Sequence, residues 1–493
     1  MSKKNYDNMY TALKMNLATL RLAKICGLVL LLCLILINGC AVGPDYKPIE
    51  TTLPSTWAGP APKSDTNTIT EKDIACWWTA FNDPLLVSLV NRAIESNLDI
   101  RQAEARIRQA RAARGVSLSG FGPVLNAVSS YRRSHSPQSA AANDGITSSQ
   151  YQAGFDAAWE LDIFGGVRRS VEAADADLNA VIEGRNDVLV TLAAEVAVNY
   201  IDLRAYQQRL NIARNNLAAQ KHTAELTHKI VTAGFANSLD AANADAQAAT
   251  TAAQIPLLEA SAEQSIYSLS LLIGREPAAL LTELKESSDI PAASPLVPVG
   301  VPSDLLRRRP DIRRAEAQIH AATARIGVAT ADLFPKFSIS GSAGFQNDEF
   351  NSWMDRVNRF WSFGPSVSWQ IFNTGKTISN IELQKALQEQ SAITYKQTIL
   401  TALKEVDNAL IASTKEEERK KAFSDAVAAN KKAVDLAKQL YIHGQTDFLN
   451  VLLAQRSLYA SEDALAQSTR TVSTNLVALY KAIGGGWGTI IVE

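Results

Sequence analysis

Four segments of the chain alternate apolar and polar residues with a period of two. In YQAGFDAAWELDI, which runs from Tyr151 to Ile163, the odd positions are apolar or aromatic and the even positions include glutamine, aspartate and glutamate. The segments at 337–346 and 363–371 alternate in the same way, and the segment at 123–131 does so less cleanly. This period predicts β-strands with two different faces. Aromatic-rich alternation of this length is typical of strands that meet lipid on one face and water on the other, although half-buried strands of soluble sheets also alternate.

Long stretches rich in alanine, glutamine and leucine predict helices of unusual length. The stretch from Arg168 to Thr232 has no proline and a single glycine, Gly184, and the stretch from Lys376 to His443 has neither residue. A continuous helix over the first stretch would be about 95 Å long. A coiled-coil rod is one interpretation, but sustained leucine and isoleucine heptads are absent, which argues against a simple coiled-coil seam. Shorter helices of about 35 residues are expected at 84–118 and 303–331.

One sequence motif occurs twice in the chain. NLDIRQAEARI begins at Asn97 and RPDIRRAEAQI begins at Arg309, so that Asp99 and Asp311 are 212 positions apart (311 − 99). The correspondence extends along both halves, through two prolines, two tryptophans, two glycine-centred breaks and the closing tetrapeptides LLIG and KAIG. Two copies at so long a period indicate duplication of a large unit rather than a short-repeat solenoid.

The N-terminal region resembles a bacterial lipoprotein signal peptide. A basic stretch precedes the apolar run ICGLVLLLCLILINGC, which is short for a membrane-spanning helix and ends at Cys40. Its end resembles a lipobox, so we expect cleavage before Cys40 and a lipid on that cysteine, with either Met1 or Met15 as the start. A plain signal peptide ending near a cysteine is the alternative. Ala41 at the next position implies sorting to the outer membrane, and Cys76 then remains as the unlipidated cysteine, which excludes a disulfide framework.

Composition and charge argue against nucleic-acid binding and catalysis. The chain has 49 basic and 50 acidic residues, so no net charge draws it to nucleic acid. Its five histidines are scattered, and its glycine-rich turns have no following lysine, which disfavours a metal site and a phosphate loop. We therefore expect no enzyme, no metal and no cofactor other than the covalent lipid.

Several further motifs occur in a characteristic order. They are CAVGPDYKP at 40–48, WW and FNDPLL within 77–86, RPDIRRAEA at 309–317, AQRSLY at 454–459 and LYKAIGGGW at 479–487. Together they resemble the TolC-like outer membrane factor family, and within it the lipoprotein (NodT-type) branch that serves resistance-nodulation-division (RND) pumps.

Four strands cannot close a membrane barrel, because open edges in lipid leave backbone groups without hydrogen bonds. The resemblance implies a mixed α and β membrane protein: a homotrimeric tube with a 12-stranded outer-membrane β-barrel, four strands per protomer, continued by a long periplasmic α-helical barrel.

The expected organisation follows from the repeat and the resemblance. It comprises a signal peptide at 1–39, a lipidated N-terminal segment at 40–83, a first repeat at 84–286, a linker at 287–302, a second repeat at 303–484 and a tail at 485–493. The expected location is the outer membrane, with the tube reaching into the periplasm.

The resemblance also implies a function and its residues. The protein would be the passive outer-membrane duct of a tripartite pump, exporting drugs or other small toxic compounds with a periplasmic adaptor and an inner-membrane RND transporter. Gly234 and Gly444 would form the tips that contact the adaptor, and Asp240, Asp425 and Asp435 would close the pore there. An aromatic gate partner of some relatives falls near Phe423, which has no hydroxyl. The alternatives are the outer component of a type I protein exporter and a structural coiled-coil lipoprotein.

Overall fold

A computed structural model describes residues 41–59, 74–136, 146–235, 237–292 and 300–488. The expected signal peptide and Cys40 lie outside these residues. The described chain forms two compact units. The first combines residues 41–48 with Gln109–Asn179 and Ala317–Ile393, and the second combines the described parts of Ile49–Arg108, Ala180–Glu316 and Thr394–Glu493. Each unit therefore contains segments from both copies of the repeated sequence.

Seven helices of more than ten residues occur in the described residues, and six of them form pairs of equal length. The helices are α1 (Pro84–Ser96), α2 (Leu98–Ser119), α3 (Gly166–Thr232), α4 (Ser238–Leu272), α5 (Pro310–Ala331), α6 (Lys376–Ile442) and α7 (Phe448–Ala482). Helices α2 and α5 have 22 residues each, α3 and α6 have 67, and α4 and α7 have 35. The bounds of α3 and α6 confirm the long helices predicted from the sequence. Across the described helices, none has an apolar stretch long enough to cross a membrane.

The strands form one antiparallel sheet in the order β1-β2-β3-β4 within the first compact unit. Their bounds are β1 (Val124–Ser136), β2 (Ile146–Leu161), β3 (Lys336–Asn347) and β4 (Arg359–Ser368). The prediction that the fourth strand reaches Ile371 is wrong, because the Ile371 N–H donates to the Trp369 carbonyl (3.1 Å) and this tight turn takes the chain out of the sheet.

The prediction of one 35-residue helix at the start of each repeat is also wrong. In the first repeat the helix breaks at Asn97, whose Oδ1 accepts hydrogen bonds from the backbone N–H groups of Asp99 (2.8 Å) and Ile100 (3.2 Å) and so caps α2. In the second repeat the break falls at Arg309, because the following Pro310 holds the preceding residue in an extended conformation.

In each repeat, the residue just before a 22-residue helix contacts the end of a 35-residue helix, and both contacts lie in the second compact unit. The Asn97 Nδ2 donates to the carbonyl of Leu272 (2.8 Å), at the end of α4. The Arg309 Nη1 donates to the carbonyl of Ala482 (2.9 Å), at the end of α7. A helix therefore starts in each repeat where the last long helix of that repeat ends, and the contact is made by residues just before the DIR and IG sequences.

Of the side chains at these two contacts, Arg309 forms the most hydrogen bonds and ion pairs. It is buried and forms ion pairs with Asp311 (2.7 Å) and Glu405 (2.7 Å). Burial alone would lower the pKa of its guanidinium, but the two carboxylates outweigh burial and raise that pKa. The charge is therefore fixed in the place where α5, α6 and the end of α7 converge.

Candidate functional site

The two faces of the sheet differ in polarity, as the alternating sequence predicts. Residues paired across neighbouring strands share a face. One row across the sheet consists of Ala127, Phe155, Ala343 and Trp361. The next row consists of Asn126, Asp156, Ser342 and Ser362. We call these the apolar face and the polar face. The register also shows which face each residue of the less regular β1 belongs to, and it places Leu125 and Tyr131 on the apolar face.

Hydroxyl pairs join the strands on the polar face. The Oγ atoms of Ser338 and Ser366 are 2.8 Å apart, and those of Ser342 and Ser362 are 2.7 Å apart. Both pairs join β3 to β4. Small hydroxyl side chains satisfy each other here and leave the face suited to contact with water.

Two tryptophans fix the helix-side end of the sheet. The Trp159 Nε1 donates to the Phe121 carbonyl (2.9 Å), and the Trp369 Nε1 donates to the Leu333 carbonyl (3.1 Å). Each carbonyl lies in the turn that leads from a 22-residue helix into a strand. The two contacts are equivalent in the two repeats, and an indole ring with one polar tip is the side chain found at membrane interfaces.

The outer strands β1 and β4 each pair with one described neighbour, so the sheet has two open edges. Ten residues of β4 pair with β3, and thirteen residues of β1 pair with β2. An edge in lipid would leave a row of backbone N–H and C=O groups without partners, at several kcal/mol for each group. A sheet with an apolar face of this size needs a partner for both edges before it can enter a membrane.

The glycine-centred turns between the long helices have the same geometry. Gly234 has φ +80° and Gly444 has φ +69°. The Phe235 N–H donates to the Ile230 carbonyl (3.0 Å), and the Gln445 N–H donates to the Leu440 carbonyl (2.8 Å). This pattern is the Schellman motif, in which a left-handed residue ends a helix. A Cβ atom would meet nothing within 4 Å at either glycine, so backbone conformation rather than space requires glycine there.

A small hydrophobic cluster lies beside these turns, and sequence reasoning did not find it. Its buried members are Ala224, Ala244, Tyr441, Phe448, Val451 and Leu452. Phe448 is 1% exposed, and its ring packs edge-on against Tyr441 with centroids 5.6 Å apart. The cluster joins α3 and α4 to α6 and α7 next to the turns. The signal in the sequence was the pair of aromatic residues on either side of Gly444.

The three aspartates predicted to close the pore lie on two different helices, α4 and α6. Asp240 lies half-buried in the first turn of α4. Asp425 and Asp435 are exposed on α6, ten residues and about 15 Å apart along the helix axis. Within the described residues, no ion pair involves any of the three. The guanidinium of Arg419 lies 5.1 Å from the ring centroid of Phe423, which takes the aromatic position near the predicted gate.

The segment that follows Cys40 is docked in the first compact unit, a feature that the sequence did not predict. The buried Arg169 donates to the carbonyl of Val42 (3.2 Å) and forms an ion pair with Asp45 (2.6 Å). The ring of Tyr46 stacks on that of His320 with centroids 4.5 Å apart. Backbone contact is close as well, because a Cβ on Gly43 would lie 2.5 Å from the Cα of Gly327. Cys40 itself lies outside the described residues.

Comparison with known proteins identifies the family. The family model described as outer membrane efflux protein matches the chain twice, over residues 89–275 and 301–485. The chain belongs to the outer membrane efflux protein family. The resemblance drawn from the sequence motifs is thereby confirmed.

Individual relatives share most of the chain. Nodulation protein T of Rhizobium leguminosarum bv. trifolii is 31% identical over 456 residues, which cover 92% of this chain and 96% of that protein. The solvent efflux pump outer membrane protein SrpC of Pseudomonas putida is 32% identical over 466 residues, covering 92% and 97%. The solved structure of the outer-membrane channel OprN superposes with a TM-score of 0.83 at 38% identity and covers 91% of this chain and all of that chain.

Proposed function

We propose that this efflux family member is the outer-membrane duct of a tripartite pump, working as a homotrimer and exporting drugs or other small toxic compounds. It catalyses no reaction in this proposal, and the energy comes from an inner-membrane RND transporter that a periplasmic adaptor connects to the duct. The similarity to a protein named as a solvent efflux pump component supports the choice of small toxic compounds.

The observation that carries the proposal is a four-stranded sheet with an apolar face and two open edges. Three copies provide twelve strands, and pairing β1 of one copy with β4 of the next closes a barrel with no edge exposed to lipid. The polar face then lines the interior and the apolar face meets the membrane.

The long helices provide the second part of the duct. Each 67-residue helix is on the order of 100 Å long, which is several times the thickness of a membrane. Each of them begins shortly after a strand and is followed by a glycine-centred turn, at Gly234 or Gly444. We place these two turns in the periplasm, as the parts that contact the adaptor.

We propose Asp240, Asp425 and Asp435 as the residues that close the duct near its periplasmic end. In a trimer each aspartate becomes a ring of three carboxylates, which attracts cations and responds to salt. We also propose that Cys40 carries the lipid. The contacts of Arg169 hold the next residues of the chain in a defined position, so that lipid and barrel would anchor the protein together.

The test is the mass and conductance of the full-length protein extracted from membranes in mild detergent. We expect particles of three chains in light scattering, and stable ion conductance after reconstitution into planar bilayers. Single chains in mild detergent, or bilayers that remain sealed, would contradict the proposal. Copurification with an adaptor and an RND transporter, rather than with an ATP-driven protein exporter, separates the efflux duct from a type I secretion component.

A further inference from the structure

The apolar face of the sheet carries two charged side chains, and both are arginines. These are Arg133 and Arg359. The other described strand residues on this face are aromatic, aliphatic or small polar residues, with one histidine. The charged residues Arg132, Asp156, Glu160 and Lys336 fall on the polar face. Carboxylates are thus confined to the polar face, whereas the apolar face keeps two cations.

Both arginines lie at the end of the sheet opposite the helices. Arg133 follows Tyr131 by two positions on β1 and pairs with Ser149. Arg359 is the first residue of β4 and pairs with Phe345. From Leu161 to Tyr151 the apolar face extends for about 33 Å along β2, which becomes about 25 Å when the strand is tilted as in a membrane barrel. Arg133 therefore lies one row beyond the Tyr151 end of this band, and Arg359, in the row of Ala153, lies one row inside it. Both arginines are within two residues of the same boundary.

Aromatic rings mark the same boundary. Tyr131 and Tyr151 stack with centroids 4.7 Å apart, and Phe350 packs against Tyr151 at 5.3 Å. Tyrosine rings are enriched at the level of lipid headgroups, where one end of the ring is apolar and the other is wet.

The loop end offers these arginines no carboxylate partner in the described part of the chain. The Arg359 Nε donates to the carbonyl of Arg356 (3.0 Å), and neither Arg133 nor Arg359 forms an ion pair there. Arginine on a lipid-facing strand is strongly unfavourable at the middle of the bilayer and nearly neutral at its surface. Two cations at this position are therefore placed where an anionic headgroup can reach them.

We propose that Arg133 and Arg359, with Tyr131 and Tyr151, bind the phosphate groups of phosphorylated lipids in the outer leaflet of the outer membrane. A guanidinium presents two parallel N–H donors to a phosphate and is the side chain best suited to this contact. The inference rests on the proposed function, because it requires the apolar face to lie in the membrane with its loop end outward. Each copy of the chain would bring one such set of residues to the surface of the barrel.

The test is lipid binding by the intact, detergent-purified protein in native mass spectrometry. The probes are bisphosphorylated lipid A and the same lipid with both phosphates removed. We expect the natural protein to retain the phosphorylated lipid, and the double variant Arg133→Gln, Arg359→Gln to bind it at least about tenfold more weakly. Binding of the dephosphorylated lipid should be weak for both proteins.

The neighbouring Arg132 supplies a matched control, because it precedes Arg133 in the chain but lies on the polar face. Arg132→Gln should bind lipid A as the natural protein does, and Arg133→Lys with Arg359→Lys should recover part of the binding. Equal binding by the double glutamine variant, or an equal loss with Arg132→Gln, would overturn the proposal. Conductance in phosphatidylcholine bilayers is measured separately: a protein that conducts but ignores lipid A refutes this inference alone, whereas one that never conducts refutes the proposed duct.

Discussion

Tyr200 illustrates how a single hydroxyl connects parts of the second compact unit. It lies on α3, is 1% exposed, and donates to the Oδ2 of Asp83 (2.8 Å). The Oδ1 of Asp83 accepts from the N–H groups of Leu85 and Leu86 and so caps α1. One carboxylate thus holds the start of a helix against the long helix beside it.

The protonation of Tyr200 should contribute to stability. Burial, and then the hydrogen bond to Asp83, raise its pKa to about 12, since both disfavour the tyrosinate. The contribution is complete below pH 10, where the unfolded tyrosine also keeps its proton, and it is lost as the pH rises from 10 to 12. Tyr200→Phe should lower the free energy of unfolding by about 1–3 kcal/mol at neutral pH. Thermal melts should show a smaller loss of stability above pH 10 for this variant than for the natural protein.

A second tyrosine provides the control for that prediction. Tyr267 on α4 donates to Glu263 (3.2 Å) but is exposed, so Tyr267→Phe should change the melting temperature little. An equal effect of the two substitutions would mean that the buried contact with Asp83 contributes nothing of its own.

At the scale of elements, the hydrophobic and polar pattern predicted more of the fold than of its contacts. The absence of proline and the near absence of glycine located α3 and α6 to within a few residues, and period-two alternation found all four strands. The pattern missed the break at Asn97, because the side chain that ends one helix and caps the next interrupts neither propensity nor periodicity over a long window.

The seam between α3 and α7 shows why helix packing was harder to predict. Polar contacts recur about every seven residues along α3, and no leucine heptad marks them. The contacts are Asp202–Arg470 (2.5 Å), Arg209–Asp463 (2.6 Å), Asn216–Glu462 (2.9 Å) and Thr223–Gln455 (3.0 Å). A seven-residue spacing keeps one face of a helix against its neighbour whatever the side chains are. The contact residues of α3 therefore have the seven-residue spacing of a helix seam, but they are polar, so a search for apolar heptads does not find them.

The turns at the ends of the long helices lead to an element-scale prediction. Gly234→Ala and Gly444→Ala force a side chain into the left-handed region, so each should destabilise its turn by about 1 kcal/mol or more. Hydrogen exchange of the amides around each turn should become faster. Gly115→Ala is the control, because Gly115 lies within α2 with nothing within 4 Å of a Cβ, and alanine favours a helix there. Unchanged exchange at both turns would show that the positive φ angles impose no strain on alanine.

On the scale of the whole molecule, duplication explains both the equal helix lengths and the two matching turns. Each repeat has its own strand pair, its own tryptophan contact and its own Schellman turn, so three chains would place six similar units around one axis. The sequence contained the repeat and the alternation, from which closure by other copies could be argued. It did not contain the position of the aspartates relative to neighbouring copies, because that depends on surfaces which a single chain leaves exposed.

Those exposed aspartates lead to the prediction that belongs to the assembly. Asp425 and Asp435 each have a lysine four residues earlier on α6, at Lys421 and Lys431, so removing both carboxylates leaves a more positive surface. If they help to close the duct, Asp425→Ala with Asp435→Ala should raise single-channel conductance and reduce the preference for cations. Planar-bilayer recordings at two salt concentrations measure both effects.

Glu389→Ala removes an exposed carboxylate from the same helix, more than 50 Å from these positions along the axis, and should leave the conductance unchanged. Conductance that stays the same in the double variant would remove both aspartates from the gate, whereas an equal rise with Glu389→Ala would point to overall charge rather than a local constriction.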